Sequence, residues 1–162
     1  MKKILLCLLG ILCIITENSI TNYIDILNIS INLTLIYMTI VALYLDELDA
    51  GILGAILGIL KDIMIGGVFG VNALILFIIG YGISYIKKNL YKESYITIFA
   101  LVLISALVDS VINIATFSLI YKNYNVLVLG LRGILLIPLI NSLASLVIYR
   151  LFKKSILKLK ED

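Results

Sequence analysis

The sequence predicts an all-α polytopic membrane protein, a bundle of six transmembrane helices with the N- and C-termini cytoplasmic. Three observations predict it. Of 162 residues, 62% are apolar and 14% charged, with a mean hydropathy of +1.17, whereas a soluble domain has about 45–50% and about 25%. Six apolar stretches joined by short polar ones fill the length, which leaves no room for a soluble domain. The basic residues also collect at alternate ends of these stretches. Lys2, Lys3, Lys87, Lys88, Lys92 and the basic C-terminus fall on one side and only Lys122 in a loop on the other, which places the first side in the cytoplasm.

The elements follow in order. Segment one, Ile4 to Ile20, crosses if Lys2 and Lys3 snorkel at its inner end. Its basic start and apolar run imitate a signal peptide, but Thr16-Glu17-Asn18-Ser19 follows with no small-residue cleavage site, so it reads as an uncleaved span. Segment two runs from Ile29 to Leu45 and carries Asn32, Thr34, Tyr37 and Thr39; the acidic turn Asp46-Glu47-Leu48-Asp49 follows. Segment three is Ala50 to Gly67 and segment four Val71 to Ile86. Segment five, Tyr95 to Leu119, holds Asp109 and Asn113 one turn apart. Segment six, Val126 to Tyr149, contains Arg132, Pro138 and Asn141. Pro138 frees the carbonyl of Ile134, so a kink is expected there. The chain thus divides into a bundle at 1–149 and a basic amphipathic cytoplasmic tail at 150–162, an interfacial helix suited to an anionic leaflet.

Composition also excludes functions. There is no His, which removes His-based metal sites and His general bases. Cys7 and Cys13 sit six apart on one helix and point about 240° apart, so they cannot pair with each other. No nucleophile with a base, phosphate-binding loop or metal cluster is legible. Neither catalysis nor a cofactor is expected. A net charge of +3 carried at segment ends reads as topology and not as a nucleic-acid surface.

Segment three is the unusual one. Gly54, Gly58, Asp62 and Gly66 recur every four residues and form one slanting stripe. Glycines on a stripe let a second backbone approach, and a carboxylate on it must face protein. A mid-membrane Asp costs about 2.5–3.5 kcal/mol on insertion scales, so something must offset it. Helical rise puts Asp62 about 18 Å above Ala50, Asp109 about 21 Å above Tyr95, and Arg132 about 21 Å up a core about 30 Å thick. With Lys61 they form a buried charge layer of two acids and two bases. Asp62 with Arg132 and Lys61 with Asp109 is one neutral arrangement; the reverse is the other. Lys61 and Asp62 point about 100° apart, so each needs a partner on another helix. Pairing that fixes helix packing is the expected role.

Over the stretch GILGAILGILKDIMIGGVFGVNALILFIIGYGISYI the chain resembles the rod shape-determining protein MreD family. The shared features are the glycine-bearing helix of Gly51, Gly54 and Gly58 ending at Asp62, the turn of Gly66, Gly67 and Gly70, the helix start Asn72-Ala73-Leu74, and Gly80-Tyr81. The resemblance implies a non-catalytic component of the cell-elongation and peptidoglycan-synthesis machinery in the bacterial inner membrane. It implies work with the bitopic protein MreC, the actin-like MreB, the glycosyltransferase RodA and a transpeptidase. On that reading Gly54, Gly58, Asp62, Gly66, Gly70, Asn72, Gly80 and Tyr81 serve helix packing or partner interaction. The alternative is the substrate-binding membrane subunit of an energy-coupling-type vitamin transporter. Such subunits carry small residues four apart in the first span, where this chain has only Gly10 among bulky residues.

Overall fold

In a computed structural model the chain is described at residues 2–21, 31–65, 68–90, 94–120 and 132–158, with the side chains of 2, 3, 20, 21, 89, 117, 120, 132, 133 and 151–158 set aside. The described residues form six α-helices and no strand. These are α1 (Lys2–Thr21), α2 (Leu33–Ala42), α3 (Glu47–Ile65), α4 (Val71–Ile86), α5 (Tyr95–Ile120) and α6 (Ile137–Lys158). Among them one stretch, Tyr95–Thr116 in α5, is long and apolar enough to cross a membrane by itself; Ile4–Ser19, Leu33–Ala42, Val71–Ile86 and Ile134–Arg150 are shorter apolar helices.

The central element is α2, which packs against α1, α3, α4 and α5. Its sequence LTLIYMTIVA is apolar around the whole circumference, and a helix of that kind needs neighbours on every side. Eight of its ten residues are buried. It is also shorter than segment two. Ten residues span about 15 Å, half of a hydrocarbon core of about 30 Å. At its C-terminal end the chain leaves the helix in turns, with the Tyr44 amide donating to the Val41 carbonyl at 2.9 Å. At its start Asn32 caps it.

The outer helices each show one face to the core. In α1 the stripe Leu6, Gly10, Ile14 and Glu17 is buried while Ile4, Leu5, Leu8, Leu12 and Ile15 are exposed. In α3 the exposed Ile52, Ile56, Ile59 and Ile63 lie opposite the glycines. The acids of the Asp46–Asp49 turn belong partly to α3, which starts three residues before Ala50 with Glu47 and Asp49 in its first turn, where negative charge complements the helix dipole. At this end Ser84 and Lys87 of the α4 terminus both donate to the Leu45 carbonyl, the serine at 2.6 Å.

Before α6 lies a π-helical turn, Arg132–Leu136. It comes just ahead of Pro138, where the missing N–H interrupts the regular ladder. The helix then continues past Tyr149 to Lys158 without a break, since no Gly or Pro follows Pro138 to stop it. The expected separate tail helix is, as far as Lys158, an extension of α6. The loop at 121–125, the start of segment six and residues 159–162 lie outside the described residues.

Candidate functional site

The glycine stripe faces α4. A Cβ at Gly54 would fall on the backbone carbonyl of Leu76, and one at Gly58 on the backbone of Ala73. Gly80 returns the contact, its position closed off by the Ala50 carbonyl and the Met38 side chain. With these three side chains absent, the two helices touch backbone to backbone, as small residues allow in membranes. Tyr81, 38% exposed, lies at the edge of this contact, stacked on Phe77 with ring centroids 6.1 Å apart; its Cβ and the Phe77 ring close off the position of Gly51. Gly66 lies outside the described residues.

Asp62 ends the stripe, and its partner is a helix terminus. Oδ2 accepts from the amides of Gly70 at 2.9 Å and Ala73 at 3.3 Å; Oδ1 accepts from the Asn72 amide at 3.3 Å and the Asn72 side chain at 2.8 Å. The Val71 amide bonds to the Val68 carbonyl at 3.2 Å, so the opening N–H groups of α4 are all engaged. Gly70 permits the geometry: it caps α4 at φ 93°, a left-handed conformation that favours glycine. Hydrogen bonds to a charged group contribute about 1.5–3 kcal/mol each. Four of them exceed the insertion cost of about 2.5–3.5 kcal/mol, and the helix dipole adds to them. The expectation of a cation for Asp62 is therefore replaced by a cap.

Lys61, 4% exposed, turns the other way. Its Nζ lies 2.9 Å from Oε1 of Glu17 and donates to Oδ1 of Asn32 at 2.8 Å. Glu17 in turn caps α2, with Oε2 accepting from the Thr34 amide at 3.0 Å and hydroxyl at 2.7 Å. Asn32 Oδ1 also takes the Leu35 amide at 3.0 Å, and the Asn32 amide donates to Oδ1 of Asn141 on α6 at 2.8 Å. Asp109 accepts from Asn113 at 3.0 Å and lies within electrostatic reach of Lys61, Glu17 and Asn32. Glu17, Asn32, Lys61, Asp109 and Asn141 thus bring five helices to one polar centre.

The expected charge layer is corrected accordingly. The closest partner of Lys61 is Glu17, with Asp109 nearby, because Glu17 sits at the same height on the adjoining helix. The residue that α6 brings to this level is Asn141, nine positions after Arg132 and so about 13 Å along the axis. Arg132 begins the π-helical turn, and its side chain lies outside the described residues.

The profile of one family, described as rod shape-determining protein MreD, matches residues 1–154 of the 162. The chain belongs to the MreD family. It therefore has a role in rod-shape determination, as a membrane protein of a family not known as enzymes. No curated protein and no solved structure matches it significantly.

Within this MreD protein three residues of the polar centre were not among the expected site residues, Glu17, Asn32 and Asn141. The signal for Glu17 was present. It lies fifteen residues after Lys2 on α1, about 22 Å up, level with Asp109.

Proposed function

We propose that this MreD protein is a non-catalytic scaffold of the cell-elongation machinery that spans the inner membrane six times with both ends in the cytoplasm, and that it works by binding an MreC-like partner. MreB, RodA and a transpeptidase stand in direct or indirect contact with that complex. The family match over residues 1–154 carries the reading. The polar centre supports it: the carboxylates of Glu17 and Asp62 and the ammonium of Lys61 are each engaged in holding one helix to another. Charges spent this way set the shape of the bundle and so the surface it offers a partner.

Deletion of the gene, scored for cell shape and for uptake of small vitamins, tests the function. Round cells with normal uptake are expected. Rods that depend on an added vitamin would favour a transporter subunit. Copurification of an MreC-like protein from native membranes tests the partner, and its loss on Gly58→Leu is expected if bundle shape matters.

A further inference from the structure

Toward their N-terminal ends α1 and α3 part and leave an apolar wedge between them. Further along they touch, since a Cβ at Gly10 would fall on the side chain of Leu57. Before that contact lies a cavity of about 270 Å³. Its walls are Ile4 and Cys7 of α1 and Ile52 and Ile56 of α3; buried Leu6 and Leu53 line it too, and Asp49 brings a carboxylate to it. From Asp49 to Ile56 the helical rise gives a length of about 10 Å. Water does not suit this space. It needs two to four polar partners, and Asp49 aside the lining is aliphatic side chains and a thiol. Apolar cavities of this kind take hydrocarbon instead, and left empty they forfeit dispersion contacts along every wall. A partner helix is about 10–12 Å across, too wide for a cleft that closes where two helices touch. A single hydrocarbon chain is not.

The charges at the mouth select the lipid. Leu45 also lines the cavity, and Asp46, Glu47 and Asp49 follow it into the first turn of α3. The Asp46 side chain is 93% exposed, with Lys87 3.7 Å away. Lys2 and Lys3 open α1 directly before Ile4. An anionic headgroup would meet three carboxylates here. A zwitterionic headgroup finds acids for its ammonium and, at positions 2 and 3, the sign of charge its phosphate needs. A primary ammonium also brings three N–H donors to a carboxylate, whereas a quaternary one brings none.

We propose that the wedge between α1 and α3 binds one acyl chain of a phospholipid whose headgroup carries a primary amine, with the ammonium set against Asp49 and the acidic turn. On the six-span reading this is a lipid of the cytoplasmic leaflet. The proposal goes beyond the scaffold function and rests on the chain spanning a membrane.

Purified full-length protein is placed in nanodiscs with a trace of phosphatidylethanolamine that bears a diazirine in one acyl chain, and illumination followed by peptide mass spectrometry reads where the chain lies. Labelling is expected to concentrate on residues 4–7 and 52–56, above that on Ile104 and Val111, exposed positions of α5 outside the wedge. Unlabelled phosphatidylethanolamine should compete the wedge label about threefold better than phosphatidylcholine, within what one exposed ion pair supplies; this comparison needs no variant. Asp49→Asn should keep the label and lose that preference. Cys7→Phe, which fills the wedge, should lose the label at 52–56 and keep it on α5. Equal labelling of the wedge and α5 overturns the proposal while leaving the membrane reading intact, as does equal competition by the two lipids. Label on neither overturns both. A wedge that takes the photolipid in nanodiscs but crosslinks to a protein in native membranes would overturn it as well and assign the wedge to a partner.

Discussion

Two oxygens at Asp62 accept four hydrogen bonds from Gly70, Asn72 and Ala73, and an amide cannot match that. Asp62→Asn offers one acceptor oxygen and turns an NH2 group toward N–H donors. Each stranded donor costs about 1–3 kcal/mol, so a lowered unfolding temperature and lower protein levels are expected. Arg132→Gln should not restore either; restoration would mean that Arg132, and not the α4 terminus, neutralises the acid. At Lys61 the sign differs. Lys61→Met leaves Glu17 and Asp109 facing one another without the ammonium. Glu17→Gln, by contrast, leaves Lys61 with Asn32 and the charge of Asp109. The double variant should therefore be more stable than Lys61→Met alone. Breaking a buried pair costs about 3–5 kcal/mol in soluble proteins, and polar terms between membrane helices average about 0.6 kcal/mol. A double-mutant cycle on thermal unfolding should give a coupling inside that range. Additive effects would show that the 2.9 Å pair contributes nothing.

Paired helices are the unit above. In α1–α2 and in α3–α4 a carboxylate late in the first helix caps the start of the second, Glu17 at Thr34 and Asp62 at Asn72. The four-residue spacing of Gly54, Gly58 and Asp62 was legible in the sequence as a buried stripe, because helical periodicity alone puts such residues on one face. What the stripe met was not legible. The donors for Asp62 are three main-chain amides and the Asn72 side chain, only eight to eleven positions on, and none of them carries a charge. Asn32 was hidden for the same reason, as its role depends on α2 beginning at that residue. The glycines give a contrast within the fold. Gly58→Ala places a methyl on the Ala73 backbone, and a cost in the range of about 1–3 kcal/mol for overpacking is expected. A Cβ at Gly82 meets nothing within 4 Å, so Gly82→Ala should be neutral or stabilise by about 0.4–1 kcal/mol. Thermal unfolding of the two purified variants separates them, and equal losses would remove the close α3–α4 contact as the explanation.

For the whole molecule, composition was enough to foresee an all-helical chain, and each of the six described helices overlaps a predicted segment. Helix ends were less legible because they depend on local caps and turns, as at Asn32 and Leu43, and on caps supplied by other elements, as by Glu17 at Thr34. The number of crossings is a separate matter, since one described helix is long and apolar enough to cross by itself and four others are shorter apolar helices. Topology can be read by labelling. With Cys7 and Cys13 replaced, single cysteines are introduced at Asn89, Asn123 and Lys160. Asn89 closes the turn after α4 and Lys160 follows α6, and both should react with a membrane-impermeant maleimide only once the inner face is exposed. Asn123, between α5 and α6, should react on intact cells. The basic residues predict this sidedness, and the Tyr95–Tyr149 contact agrees by bringing the start of α5 to the end of α6. Labelling of Asn89 on intact cells would invert or break the six-span arrangement. Labelling of Lys160 alone on intact cells would mean that α6 does not cross.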